Sequence, residues 1–374
     1  MLRKGTFIPM KTKIQDMTSG SPGRLIILFA IPLMLGNICQ QLYTMVDTMV
    51  VGQIAGVEAL AALGAVDFLM WVVTGISTGL TQGFSIQLSQ YYGAKDFENL
   101  RKSLAHSYRL TAFIAAGVLI LSQSFASLVL TGLHTPSNII GMSLLYLRII
   151  FCGIPATAAY NMFASALRAM GNSKTPLTAM IIASVLNVSL DLLFVAGFGW
   201  GVAGAAIATV IAQSFSAVYC FLILRRIDIV HLTRADFMPA SGMNARLMKL
   251  GIPVVFQNII IGVGGLVVQY VINGYGFLFV AGFTATNKLY GLLEMAAISY
   301  GYAIVTYVGQ NLGAGKIDRI RKGVRSSMLL SLLTSLIISI AMFLFGKNIL
   351  SLFISGEPQQ TQEVLAIAFK YLSI

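Results

Sequence analysis

Apolar residues run along this chain in long blocks, separated by short polar or glycine-bearing breaks. A block of about 20 residues is what a helix needs to cross roughly 30 Å of hydrocarbon. The pattern predicts helices at 24–52, 57–91, 98–130, 137–168, 176–196, 203–226, 246–273, 281–311 and 317–346, with a partial one from about 360. A barrel would instead show ~10-residue segments of alternating polarity. In lipid, segments of the length seen here satisfy their backbone only as helices. The fold class is therefore all-α and polytopic.

The breaks carry a second pattern. Lys and Arg fall on alternate connections: the leader, Lys95/Arg101/Lys102, Arg168/Lys174, Arg225/Arg226/Arg234/Arg246/Lys249 and Lys316/Arg319/Arg321/Lys322/Arg325. The connections between them, 52–57, 131–137, 197–204 and 274–282, have none. By the positive-inside rule the amino terminus and the 227–245 linker are cytoplasmic. A net charge of +12 could suggest nucleic acid, but that needs basic residues gathered on one soluble surface. With 57% hydrophobic and 10% charged residues and a mean hydropathy of +0.82, the chain is expected to be solvated by lipid. Cys39, Cys152 and Cys220 lie in apolar runs without metal or disulfide spacing and are expected to be small buried hydrophobes. The basic leader runs into the first span without a small-residue cleavage site, so that span is expected to act as its own insertion signal. The sequence holds no P-loop, HExxH or nucleophile elbow, so no enzyme, cofactor or metal site is expected.

The chain also repeats itself. Gln90, Gly93, Ala94, Arg101 and Lys102 recur as Gln310, Gly313, Ala314, Arg321 and Lys322, an offset of 220, and Ile31-Pro32 recurs as Ile252-Pro253. Six spans separate equivalent points, so the halves share an orientation and form a parallel repeat, an architecture of transporters. The expected organisation is a leader at 1–23, an N-terminal lobe at 24–226, a linker at 227–245 and a C-terminal lobe at 246–374. Tyr371-Leu372-Ser373-Ile374 matches Tyr146-Leu147-Arg148-Ile149, so the second lobe is expected to be cut off in its fourth helix.

Ionisable side chains within spans cost on the order of 2.5–3.5 kcal/mol on insertion scales and so point to function. Four acids lie in or beside spans: Asp47, Asp67, Asp191 and Glu294. In the first helix Asn37, Gln40, Thr44 and Asp47 share a face with Tyr43, which precedes Asp47 by one turn. Asn187 precedes Asp191 by one turn in the fifth, and both aspartates fall in the outer half of the membrane. A shared cavity in the first lobe follows, in which one of a pair of carboxylates held from water could bind and release a proton. Pro32 and Gly36 are candidate bending points of the first helix. The position matching Asp47 is Val268, so ion coupling is expected in the first lobe alone, while Asn37 keeps its match in Asn258. Asn287, Tyr290 and Glu294 form a smaller stripe that could bind Na⁺ or a cationic substrate and, with Gln257, line a substrate cavity. Asp67 is read as a buried helix-start group, Arg109 as a residue snorkelling to the interface, and Gly75, Gly79 and Gly83 as a close-packing stripe.

The elements Pro32, Gln40-Gln41-Leu42-Tyr43 and Val46-Asp47, then Gln90-x-x-Gly93-Ala94-Lys95-Asp96, Arg168-Ala169-x-Gly171-Asn172-x-Lys174-Thr175-Pro176 and Leu186-Asn187-x-x-Leu190-Asp191 occur in order along the chain. Together they resemble the bacterial multidrug and toxic compound extrusion (MATE) transporters. That resemblance implies a twelve-helix fold of two pseudo-symmetric six-helix lobes, here with the second incomplete. It implies an antiporter exporting cationic or amphipathic small molecules for H⁺ or Na⁺, working as a monomer in the bacterial plasma membrane. It also implies a first-lobe cation site at Asp47 and Asp191 with Tyr43, Tyr146, Asn161, Asn187 and Thr209. A lipid-linked oligosaccharide flippase of the same superfamily is the alternative, for which only Arg148 and Lys288 are candidate cavity cations.

Overall fold

The computed structural model describes residues 14–133, 135, 137–273, 277–353 and 370. Helix α1 (Pro22–Val50) opens on a proline, whose missing N–H costs nothing at a helix start. It is followed by α2 (Val57–Gly64), α3 (Asp67–Gly93), α4 (Phe97–Gly132), α5 (Ile140–Cys152), α6 (Ile154–Ala169), α7 (Lys174–Asp191) and α8 (Gly201–Arg225). Beyond a linker come α9 (Met243–Asn273), α10 (Phe277–Gly313) and α11 (Ile317–Phe353). Among the described residues six helices are long and apolar enough to cross a membrane, or eight when each of two bent pairs counts once. Apart from Lys370, the segment from about 360, including Tyr371 to Ile374, lies outside the described residues, as do the leader residues before Ile14.

Two spans expected to be continuous are bent. The 57–91 span turns by 40° between α2 and α3, where Gly64 closes one helix and a turn at Ala65 and Val66 redirects the chain. The 137–168 span turns by 45° between α5 and α6. Pro155 there has no N–H to donate to the carbonyl of Phe151, and Gly153 bonds back to Ile150 at 2.9 Å instead. Hydrophobic periodicity reports burial but not axis direction, which is why both bends escape it.

In the first lobe α7 packs on α1 and α8, and α6 on α3 and α8. Two apolar clusters form its core. One, around Val50, Val66, Leu147, Phe151 and Ala206, lies away from the basic end. The other, around Phe84, Leu104, Leu167, Cys220 and Leu224, lies near that end.

The lobes meet through α3 against α9 and α10, and α1 against α10 and α11. The glycine stripe of α3 serves this contact: a Cβ on Gly79 would lie 2.9 Å from the backbone of Val255, and one on Gly83 would overlap that of Gly251. The segment 14–20 straps both lobes at the basic end. Gln15 donates its N–H to Gly171 O at 3.1 Å, and buried Met17 donates its own to Gln310 Oε1 at 3.0 Å. Gln310 in turn donates to Ala169 O at 2.8 Å, while Asn311 donates to Met17 O at 2.9 Å.

The linker docks on α4. Arg101 lies 3.7 Å from Asp236, Arg109 donates to Phe237 O at 3.0 Å, and His106 sits between Asn244 Oδ1 and Met238 O. Arg109 is exposed. The cysteines depart from expectation: Cys220 is buried, Cys39 is half-buried, and Cys152 is exposed at the end of α5, where Gln123 reaches it.

Candidate functional site

Three helices of the first lobe each bring two polar residues spaced by one turn: Tyr43 and Asp47 from α1, Asn187 and Asp191 from α7, and Thr209 and Gln213 from α8. The spacing puts each pair on one face of its helix. Helices α1 and α7 run away from the basic end and α8 runs back toward it, so the pairs meet in a fixed order. Ser184 Oγ reaches Cys39 O at 3.5 Å, which sets α1 level with α7. One turn further out, Asn187 Nδ2 donates to Thr209 Oγ1 at 3.5 Å, and Gln213 Nε2 donates to the Tyr43 hydroxyl at 3.4 Å.

This polar layer is enclosed between the two apolar clusters. Asp191 and Asn187 are 0% exposed and Asp47 is 6% exposed. Asp191 feels the charge of Asp47, Asp47 feels that of Asp67 at the start of α3, and Tyr146 of α5, also buried, feels all three acids and Tyr43. Asp47 Oδ1, both carboxylate oxygens of Asp191, Asn187 Oδ1 and Gln213 Oε1 are buried and receive no hydrogen bond from the protein. A buried acceptor without a donor is costly. A cluster of such acceptors is matched by a species that brings positive charge: a proton, or a metal cation that takes oxygen ligands.

Each aspartate stands next to a π-helical turn. Val51–Ala55 follows α1 within a turn of Asp47, and Leu192–Gly197 begins directly after Asp191. The two π turns pack against each other. Such turns are rare and gather at functional sites, because they widen the helix and re-aim its side chains.

Asn161 stands apart. Its amide donates to Thr78 Oγ1 at 3.2 Å, joining α6 to α3 without a bond to either carboxylate. Among the cavity candidates, Asn37 donates to Ser299 Oγ at 3.2 Å and Asn258 to Gly75 O at 3.1 Å, so each bonds across to the other lobe. Gln40, Thr44, Gln257, Tyr290 and Glu294 are exposed, and the Thr44 hydroxyl turns back to Gln40 O at 3.0 Å. The side chains of Asn287 and Lys288 lie outside the described ones. Asp67 does start α3 but is exposed rather than buried, since the bend before α3 carries it out of the core. Arg148 is exposed on α5.

Gln213 and Thr78 were not anticipated. Gln213 could have been found, because it follows Thr209 by the same four residues that separate Asn187 from Asp191. Outside the spans, Asp16 belongs to the strap. Burial raises its carboxyl, but hydrogen bonds from Thr18 and Ser19 and the charge of Lys316 together outweigh this and hold it below its usual value.

The chain resembles two proteins of Bacillus subtilis (strain 168). It is 31% identical over 360 residues to the probable multidrug resistance protein YpnP, covering 96% of this chain and 80% of that protein. It is 29% identical over 368 residues to the probable multidrug resistance protein YoeA, covering 96% and 78%. Its fold matches a solved multidrug resistance MATE family transporter of the MOP superfamily in an outward-facing conformation, with a TM-score of 0.90 at 22% identity, over 96% of this chain and 80% of that one. The MatE family model matches residues 32–193 and 253–374, and its two segments start at the proline pair that marks the repeat. The chain belongs to the MatE family of multi-pass membrane transporters and has its two-lobed all-helical fold.

Proposed function

We propose that this protein is a secondary active antiporter that exports cationic or amphipathic small molecules in exchange for H⁺ or Na⁺ bound at Asp47 and Asp191. The observation that carries this reading is the buried carboxylate pair whose oxygens, with those of Asn187 and Gln213, lack protein donors. Loaded with a cation, the layer is matched and the lobe can pack tightly around it. Empty, it holds charge in a low-dielectric setting, which favours an arrangement that lets water or substrate in. The driving force is adequate: moving one charge through 100 mV is worth about 2.3 kcal/mol, and a pH unit adds about 1.4 kcal/mol. The relatives named for multidrug resistance support the substrate class.

In this reading the basic end faces the cytoplasm of a bacterial plasma membrane. The lobes are 24–226 and 246–374, joined by the 227–245 linker, and the protein works as a monomer. Substrate enters between the lobes, past Gln40, Thr44, Gln257, Tyr290 and Glu294, while Asn37 and Asn258 hold the lobes together. The test is efflux of a fluorescent organic cation from proteoliposomes with pH and Na⁺ gradients imposed separately. Asp191→Asn is expected to abolish gradient-driven efflux while dye binding persists. Efflux at the wild-type rate in that variant would remove the assignment.

A further inference from the structure

A row of polar side chains leaves the carboxylate layer toward the basic end along α8. Thr209, Gln213, Ser216 and Cys220 are spaced by four, three and four residues and share one face. Because α8 runs opposite to α7, Gln213 lies one turn nearer the basic end than the Asn187–Thr209 pair, whereas Asp191 lies one turn farther from it. Ser216 and Cys220 continue that direction and are both 0% exposed.

The hydroxyl of Ser216 has no partner, and neither has Gln213 Oε1. Ser214, two residues away on the same helix, shows the usual alternative, donating to Val210 O at 2.7 Å. A fully buried serine that forgoes this bond carries a polar group that packing does not need. Helix α6 packs on α8, and its Tyr160 lies against the cluster that holds Cys220. The titratable and charged groups facing the row and the carboxylates above it are Asp47 and Tyr43 from α1, Asp67 from the start of α3, Tyr146 from α5, Tyr160 and Arg168 from α6, Asp191 from α7 and Tyr302 from α10.

We propose that this row on α8 is the passage by which a proton leaves the Asp47–Asp191 pair toward the basic end, and that the Gln213–Tyr43 bond closes it in this conformation. The proposal rests on the antiport reading and goes beyond it by naming the route and the ion. The proton departs from a carboxyl oxygen and leaves a carboxylate behind; once Tyr43 swings from Gln213, each hydroxyl in turn accepts one proton and gives up its own, and water at the basic end is the final acceptor. An amide is a poor proton carrier, so Gln213 acts as a barrier and positioning residue, and Ser216 is part of the route.

The test uses proteoliposomes of the purified protein with a pH gradient, and binding of ethidium to each variant as the control for folding. Ser216→Val is expected to slow pH-driven efflux about tenfold, equivalent to ~1.4 kcal/mol on the barrier, with ethidium affinity unchanged. Ser216→Thr, which keeps the hydroxyl, is expected to restore the rate. Gln213→Ala is expected to raise the proton leak without substrate several-fold. If Ser216→Val fails to bind ethidium, Ser216→Ala replaces it with the same expectation. The proposal is overturned by a wild-type rate in the Ser216 variant, by an equal loss in Ser216→Thr, by an unchanged leak in Gln213→Ala, or by a protein driven by Na⁺ alone. Failure of the underlying reading looks different: Asp191→Asn would then retain gradient-driven efflux whatever Ser216 does.

Discussion

A Cβ on Gly93 would fall inside the main-chain carbonyl of Gln310, and one on Gly313 inside that of Gln90, so the two glycines make the same contact from opposite lobes. They are equivalent in the repeat, and the glutamines they meet, Gln310 and Gln90, are equivalent too, so one contact is made twice at the basic end. Each lobe presses the end of its second span into the other with nothing but hydrogen between them.

Gly93→Val or Gly313→Val is therefore expected to force the lobes apart at the basic end. Overpacking of this kind costs about 1–3 kcal/mol, enough to shift a two-state protein strongly toward its other arrangement. Labelling of a cysteine placed at Ser89, buried here beneath Gly309, measures it: the variants should label faster than the parent. An unchanged labelling rate would mean that this contact does not hold the end closed.

The strap depends on Arg319, whose guanidinium donates to Gly20 O at 2.9 Å, Met17 O at 3.3 Å and Asn311 Oδ1 at 3.0 Å. Arg319→Ala should loosen residues 14–21 at a cost on the order of 1 kcal/mol. Limited proteolysis should then cut within that segment sooner, while a Lys102→Ala control at an exposed ion pair leaves cleavage unaltered.

Asp16 gives the strap a pH dependence. Its folded carboxyl is held below its usual value, so its contribution to stability is present above the unfolded value of about 4 and lost as pH falls through the lower folded one. Melting temperature measured from pH 6 down to pH 3 should fall more steeply for the parent than for Asp16→Asn. Parallel curves would count against a role for this carboxylate.

Asn187 and Thr209 should be coupled. Single changes Asn187→Leu and Thr209→Val each break the bond between α7 and α8, so the double variant should lose less than their sum. Interhelical bonds in membranes average about 0.6 kcal/mol in such cycles. Unfolding in detergent reads the difference, and strict additivity would show that the pair contributes nothing to stability.

The sequence alone determined the helical class, the alternation of basic ends and the repeat. Each of these is written in the period and length of apolar runs, which lipid reads as directly as the folded protein does. It also placed Asp47, Asn187 and Asp191 on defined faces, since spacing along a helix fixes direction. What it could not decide is which faces meet. The junction of Tyr43 with Gln213, the diversion of Asn161 to Thr78, the bonding of Asn37 and Asn258 across the lobes and the two π turns beside the aspartates all depend on the rotation and height of one helix against another. Those are set by packing between residues far apart in the chain, and no local period records them.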